Sequence, residues 1–139
     1  MKKKIVIISL ASLMLLVAAG CGCKKKDSKN KVDKETDITA NTNENVIKDT
    51  EVDGLLISNV SLIGENGGCL YNATVKNNSG ANKELKYVKI DVKDSDGSSM
   101  ITLYGNLGSN IENGATKTMS ASCDKDLSKA TSIEYEVVK

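Results

Sequence analysis

The hydrophobic pattern divides the chain into three stretches. Residues 5–17 form a nearly continuous apolar run, from Ile5 to Val17. Residues 27–50 are polar, and their few large apolar side chains (Val32, Ile38, Val46, Ile47) follow neither a helical nor an alternating period. From about Glu51 the pattern becomes a series of short period-two runs punctuated by Asn-Gly and Asp-Gly turns. These predict strands over 55–63, 69–76, 85–93, 99–104, 115–123 and 131–138. In the second run Cys69, Tyr71, Ala73 and Val75 share a face. In the third, Val88, Ile90 and Val92 oppose Tyr87, Lys89, Asp91 and Lys93. Met119, Ala121 and Cys123 are in phase in the fifth run, and Ile133, Tyr135 and Val137 in the sixth. Residues 105–114 read as a longer crossing loop and 124–129 as a helical turn. Six or seven short alternating strands need a second layer to cover their apolar faces. The expected fold is therefore all-β, a small antiparallel two-sheet sandwich, with a small barrel as the alternative.

The apolar run at the start has a different meaning. It follows Lys2-Lys3-Lys4 and ends in Val17-Ala18-Ala19-Gly20-Cys21. A basic start, a short apolar stretch and small residues before a cysteine resemble the signal peptide and lipobox of a bacterial lipoprotein. The alternative, a retained membrane helix, is disfavoured because so short a run does not comfortably cross a hydrocarbon core of about 30 Å. The resemblance implies a signal peptide over 1–20 and a diacylglyceryl group on the Cys21 thiol, with Cys21 as the mature N-terminus. Cys23 is a rival acceptor, but it places Cys21 in the subsite before Gly22. Two acyl chains hold a protein on a bilayer far more firmly than one, each buried methylene contributing about 0.8 kcal/mol. Lys24-Lys25-Lys26 would add about 1 kcal/mol per Lys on an anionic surface, or simply keep the segment soluble. The expected location is the extracytoplasmic face of the cell membrane. Residues 21–50 are expected to form a disordered tether, and 51–139 the β domain. A coil of about 28 residues spans roughly 30 Å, with a stretched limit near ~100 Å.

Composition narrows the chemistry. The 139-residue chain has no His, Pro, Trp or Phe, and all of its basic residues are Lys, leaving four Tyr as the only aromatics. The formal net charge of +1 conceals segregation: Lys is concentrated at the start, every acid lies beyond residue 26, and the later strands alternate Lys with Asp and Glu. No basic stripe of the kind that binds nucleic acid is present in the strand region, so no nucleic-acid partner is expected.

The strand region also resembles a known family. Ala73-Thr74-Val75-Lys76-Asn77-Asn78-Ser79 is similar to the G-T-V-K-N-x-S segment of the FxLYD-type domains found on bacterial surface and lipid-anchored proteins. Ile90-Asp91-Val92-Lys93-Asp94 stands where that family has F-x-L-Y-D, keeping only Asp94. Ile111-Glu112-Asn113-Gly114 resembles its L-x-P-G turn without the Pro. The resemblance runs from about Leu55 to Val138 and implies an immunoglobulin-like sandwich, but no single activity.

The remaining candidate sites follow from residue chemistry. Cys69 and Cys123 both fall on inward faces in a chain expected outside the cytoplasm, which makes them a disulfide candidate, with two free buried thiols as the alternative. Asp94-Ser95-Asp96-Gly97 invites a calcium reading. Its Gly is at the fourth position rather than the sixth, and no Glu is placed to close a loop, so a hairpin turn is favoured and no metal is expected. Glu134 and Glu136 share one strand face and are candidate paired carboxylates for hydrolysis, although alternating acids on a strand usually form its solvated side. Asp124 and Asp126 fit a surface turn. Without His there is no imidazole base for a Ser or Cys nucleophile, and no Gly-rich strand-to-helix loop cradles a phosphate. No catalytic set and no cofactor are expected. The favoured function is a lipid-anchored module that binds an envelope protein or wall polymer. The alternatives are an accessory lipoprotein of a larger envelope complex and, last, a carboxylate enzyme.

Overall fold

The computed structural model describes residues 37–139. The expected signal peptide, the expected lipidation site at Cys21, Cys23 and the first part of the expected tether lie outside the described residues. Ten strands and one short helix follow in order: β1 (Ile38–Ala40), α1 (Glu44–Ile47), β2 (Thr50–Val52), β3 (Leu55–Glu65), β4 (Gly68–Asn77), β5 (Lys83–Glu84), β6 (Tyr87–Lys93), β7 (Ser99–Gly105), β8 (Asn110–Ile111), β9 (Thr116–Cys123) and β10 (Ser132–Val138). The larger sheet has the order β1-β3-β4-β9, with β2 also pairing along β3. The smaller has the order β10-β6-β7, and β5 and β8 form a two-stranded ribbon. Every pairing is antiparallel. The fold is the expected all-β, two-sheet sandwich.

Alternation drives the layering. Cys69, Tyr71, Ala73 and Val75 of β4 are all buried, as are Val88, Ile90 and Val92 of β6, and the two sets belong to one core. The parity of β3 is subtler. Leu55 and Ile57 point inward, but so do Val60 and Leu62, one residue out of phase. A bulge between Ser58 and Ser61 makes the change, with Asn59 at φ +50° supplying the left-handed residue it needs. Asn66-Gly67 closes the β3–β4 hairpin with two positive-φ residues between the paired Glu65 and Gly68. Asp53-Gly54 does the same between Val52 and Leu55. Gly105 is required for another reason: a Cβ there would lie 2.2 Å from Met119 Sδ, so its absence lets β7 approach β9 closely.

Two boundaries differ from expectation. The tether expected over 21–50 and the domain expected over 51–139 do not meet at residue 50, because residues 38–50 already belong to the fold. β1 pairs with the end of β3, and Val46 of α1 is 1 % exposed in the core. Asn41 holds this segment in place. Its Nδ2 donates to the carbonyls of Leu127 (3.3 Å), Ser128 (3.1 Å) and Ala130 (2.8 Å), while its Oδ1 accepts from the Asn43 N–H (2.9 Å). Polar residues thus perform an anchoring role that a hydropathy pattern does not register. Second, the expected helical turn over 124–129 is a bend followed by a turn, in which Ala130 N–H donates to Leu127 O (3.0 Å) and Leu127 is fully buried.

One end of the sandwich is organised by Asn77, which is fully buried. Nδ2 donates to Ala81 O (2.7 Å) and Ile111 O (2.9 Å). Oδ1 accepts from the Ser79 N–H (3.0 Å) and from Ser79 Oγ (2.7 Å). The backbone of Asn77 pairs with Ala115 and Gly114, and Asn78 N–H reaches Gly54 O. Three connections, the β2–β3 turn and the segments before β5 and after β8, are therefore tied to the end of β4. Cys69–Cys123 lies at the other end of the same strand.

Candidate interaction surface

The outer face of the smaller sheet carries the densest set of functional side chains. Register places Glu136, Lys89 and Tyr104 in one cross-strand row, Glu134, Asp91 and Thr102 in the next, and Val138 beside Tyr87. The carboxylates of β10 are paired: Glu136 with Lys89 (3.3 Å) and Glu134 with Lys93 (2.6 Å). The Glu136 carboxylate beside Lys89 holds that ammonium above its usual pKa, with Asp91 and Tyr104 adding smaller effects. Asp91 accepts from Ser99 Oγ and Thr102 Oγ1. Tyr87 and Tyr104 meet edge to face with ring centroids 5.2 Å apart, and Tyr104 is 60 % exposed. A shallow recess among Lys89, Asp91, Glu134, Tyr135 and Glu136 runs beside them.

Glu134, Glu136, Asp94 and Asp126, singled out in the sequence, are each engaged locally. Glu134 and Glu136 stand on an exposed strand face, each against a lysine. Asp94 spends its carboxylate on its own turn, accepting from the N–H groups of Asp96 (2.9 Å) and Ser98 (3.0 Å). Asp126 likewise accepts from the Ser128 N–H (2.9 Å), which holds its carboxyl below the usual range. Asp124 is exposed in the same bend. Among the described residues no group of three or more His, Cys, Asp or Glu is placed to hold a metal ion, and no helix is long and apolar enough to cross a membrane.

Tyr71 and the half-buried Tyr135 contribute internally. Tyr71 of β4 is fully buried, and its hydroxyl lies 2.9 Å from that of Tyr135 on β10, joining the two sheets through the core. Burial pushes both phenols up in pKa, Tyr71 far above the ordinary range, so the pair stays neutral. Cys69 and Cys123 form a disulfide between directly opposed positions of β4 and β9, with Cα atoms 5.0 Å apart.

The outer face of the larger sheet differs in character. Ser61, Asn72 and Ser120 form one row and Ser58, Thr74 and Thr118 the next, with Ser120 Oγ donating to Asn72 Oδ1 (2.7 Å). Parity alone puts Lys89 and Asp91 on one side of their strand and Glu134 and Glu136 on one side of theirs; that the two sets share a face comes from the β10–β6 register. The meeting of Tyr87 with Tyr104 is not legible from parity either, because it depends on the β6–β7 register. The available signal was two of only four aromatics falling on neighbouring strands. Known family profiles, characterised proteins and solved structures give no significant match to this chain.

Proposed function

We infer that the protein is a lipid-anchored component of a bacterial cell envelope that presents its β-sandwich as a binding module, with Cys21 carrying the lipid. The anchor reading rests on Lys2-Lys3-Lys4, the apolar run and Ala19-Gly20-Cys21. The binding reading rests on one observation: the exposed Tyr104, braced edge-on by Tyr87 and flanked by the Lys89–Glu136 ion pair. Tyrosine supplies large amphipathic contact area at low entropic cost, and charged pairs around it select orientation and partner. Of the two partner classes expected from the sequence, this combination favours an envelope protein over a wall polymer. The FxLYD-type resemblance is compatible with such a role without specifying it.

The test is capture from envelope extract by the full-length protein in detergent, with retained proteins identified by mass and competed by free protein. A specific, saturable partner is expected. Tyr104→Ser is expected to lower its affinity tenfold or more, in line with the cost of about 2 kcal/mol for truncating an interface anchor. Retention that is unchanged in both Tyr104→Ser and Lys89→Glu, or no retention by well-folded protein, contradicts the reading.

A further inference from the structure

The disulfide occupies a position that differs from the rest of the core. Cys69 and Cys123 pair at the end of the β4–β9 ladder, and Cys123 is the last residue of β9. Cys69 is 6 % exposed, whereas Cys123 is only half-buried. Both line an open recess at the sheet end, shared with Glu65, Asn66, Gly68, Leu70 and Ser122. Its walls are low. Gly67 at the hairpin tip has nothing within 4 Å of where a Cβ would be, and Leu70 is 40 % exposed.

The chain beyond the bond is secured independently of it. The three carbonyls of Leu127, Ser128 and Ala130 accept from Asn41 Nδ2, and Lys125 Nζ donates to Met100 O (2.7 Å). Lys125 O of that segment lies 3.1 Å from Cys123 Sγ, so a nucleophile reaches the sulfur from the recess rather than across the following bend.

We propose that Cys69–Cys123 is a thiol-exchange site of the folded protein, attacked at Cys123 Sγ, with a dithiol reductant as its substrate class. An incoming thiolate bonds to Cys123 Sγ as the S–S bond breaks. The electron pair passes to Cys69 Sγ, which takes a proton from solvent. The second thiol of the reductant, deprotonated, then attacks its own sulfur in the mixed disulfide and releases Cys123, which is protonated in turn. Two electrons and two protons pass to the cysteine pair, and the dithiol leaves as a disulfide. Exchange is directed to Cys123 because access selects the attacked sulfur, and of the two cysteines lining the recess Cys123 is the more exposed. This inference stands apart from the anchored-module reading and does not require it.

The test uses the full-length protein with dithiothreitol at several concentrations. Free thiols are alkylated at intervals and counted by peptide mass, so that Cys23 is scored separately. The reduction rate is expected to rise in proportion to dithiothreitol and to change less than about twofold between no urea and about 1 M urea. If the bond opens only through unfolding, the rate instead climbs on the order of tenfold per molar urea, and that result overturns the proposal. A second measurement uses the monothiol glutathione and maps the trapped adduct. An adduct on Cys123 is expected, and an adduct chiefly on Cys69 overturns the assignment.

Discussion

Asn77→Asp is expected to cost about 4 kcal/mol of stability at neutral pH, although the two side chains have nearly the same shape. Asn77 is fully buried and spends both Nδ2 hydrogens on the carbonyls of Ala81 and Ile111. Aspartate replaces that donor with an oxygen facing two carbonyl oxygens, and it places a charge where no cation is paired with it. The acceptor side survives, since the Ser79 N–H and hydroxyl still have an oxygen to meet. For a small domain the loss corresponds to a Tm lower by roughly 20 °C. The pH dependence has a definite sign. Burial and the facing carbonyls raise the introduced carboxyl's folded pKa above its unfolded value. The variant therefore regains stability as pH falls through the folded pKa, because the protonated form can donate one hydrogen bond, and it loses that stability as pH rises. The wild type has an amide there and shows no such recovery. Asn77→Ala, which removes both Nδ2 bonds but leaves Ser79 Oγ to donate to Ala81 O (3.0 Å), is expected to cost about 3 kcal/mol with no pH signature of this kind. Urea unfolding of the three proteins at two pH values makes the comparison. Equal stability of Asn77→Asp and wild type contradicts the assigned role of this residue.

The second large effect comes from the disulfide. Replacing both Cys69 and Cys123 by Ala is expected to lower stability by about 4 kcal/mol, the chain-entropy value for closing a loop with a sequence separation of 54. The effect acts chiefly through the unfolded chain, whose freedom the bond restricts, so the variant should also expose more surface on unfolding and show a larger urea m-value. The core makes this contribution matter. It has no Phe or Trp and relies on aliphatic side chains, Met119 and Tyr71. A domain whose whole stability is about 5–15 kcal/mol loses a large share of it with this one bond. A loss below about 1 kcal/mol would show that the bond constrains little.

How far the chain was legible depends on which interactions carried each part. β4 and β6 were clear because each is buried on one face along its whole length: Cys69, Tyr71, Ala73 and Val75 in one, Val88, Ile90 and Val92 in the other. The same parity put Cys69 and Cys123 on inward faces and Glu134 and Glu136 outside. β3 was legible as a strand, but not in phase. A single left-handed Asn59 shifts the inward set from Leu55 and Ile57 to Val60 and Leu62. The first elements of the fold were not legible as structure. β1 is exposed at all three of its residues, α1 buries only Val46, and Asn41 works through carbonyls 86 to 89 residues away. Asp53-Gly54 was the signal for β2, since that dipeptide forms the two-residue turn leading into β3. The two-residue β5–β8 ribbon has too few backbone bonds to leave a pattern: β8 falls in the expected 105–114 loop and β5 just before the expected 85–93 strand, although Ile111 is fully buried.

The candidate surface divides in the same way. Outward charge could be read from parity, but the Tyr87–Tyr104 contact needed the register set by the Asp94–Gly97 turn and the bulge after Val92. Long-range register is a tertiary property, and no local pattern encodes it.

On the proposed function, the outer face of the β10-β6-β7 sheet is the working surface of an anchored module. The decisive experiment is amide hydrogen exchange of the full-length protein, alone and with a partner retained in the capture. Protection is expected in the segments carrying Tyr87, Lys89, Tyr104 and Glu136, with the Ser61–Asn72–Ser120 row on the opposite outer face unchanged. Protection confined to that opposite face, or to the recess beside Cys123, would contradict it.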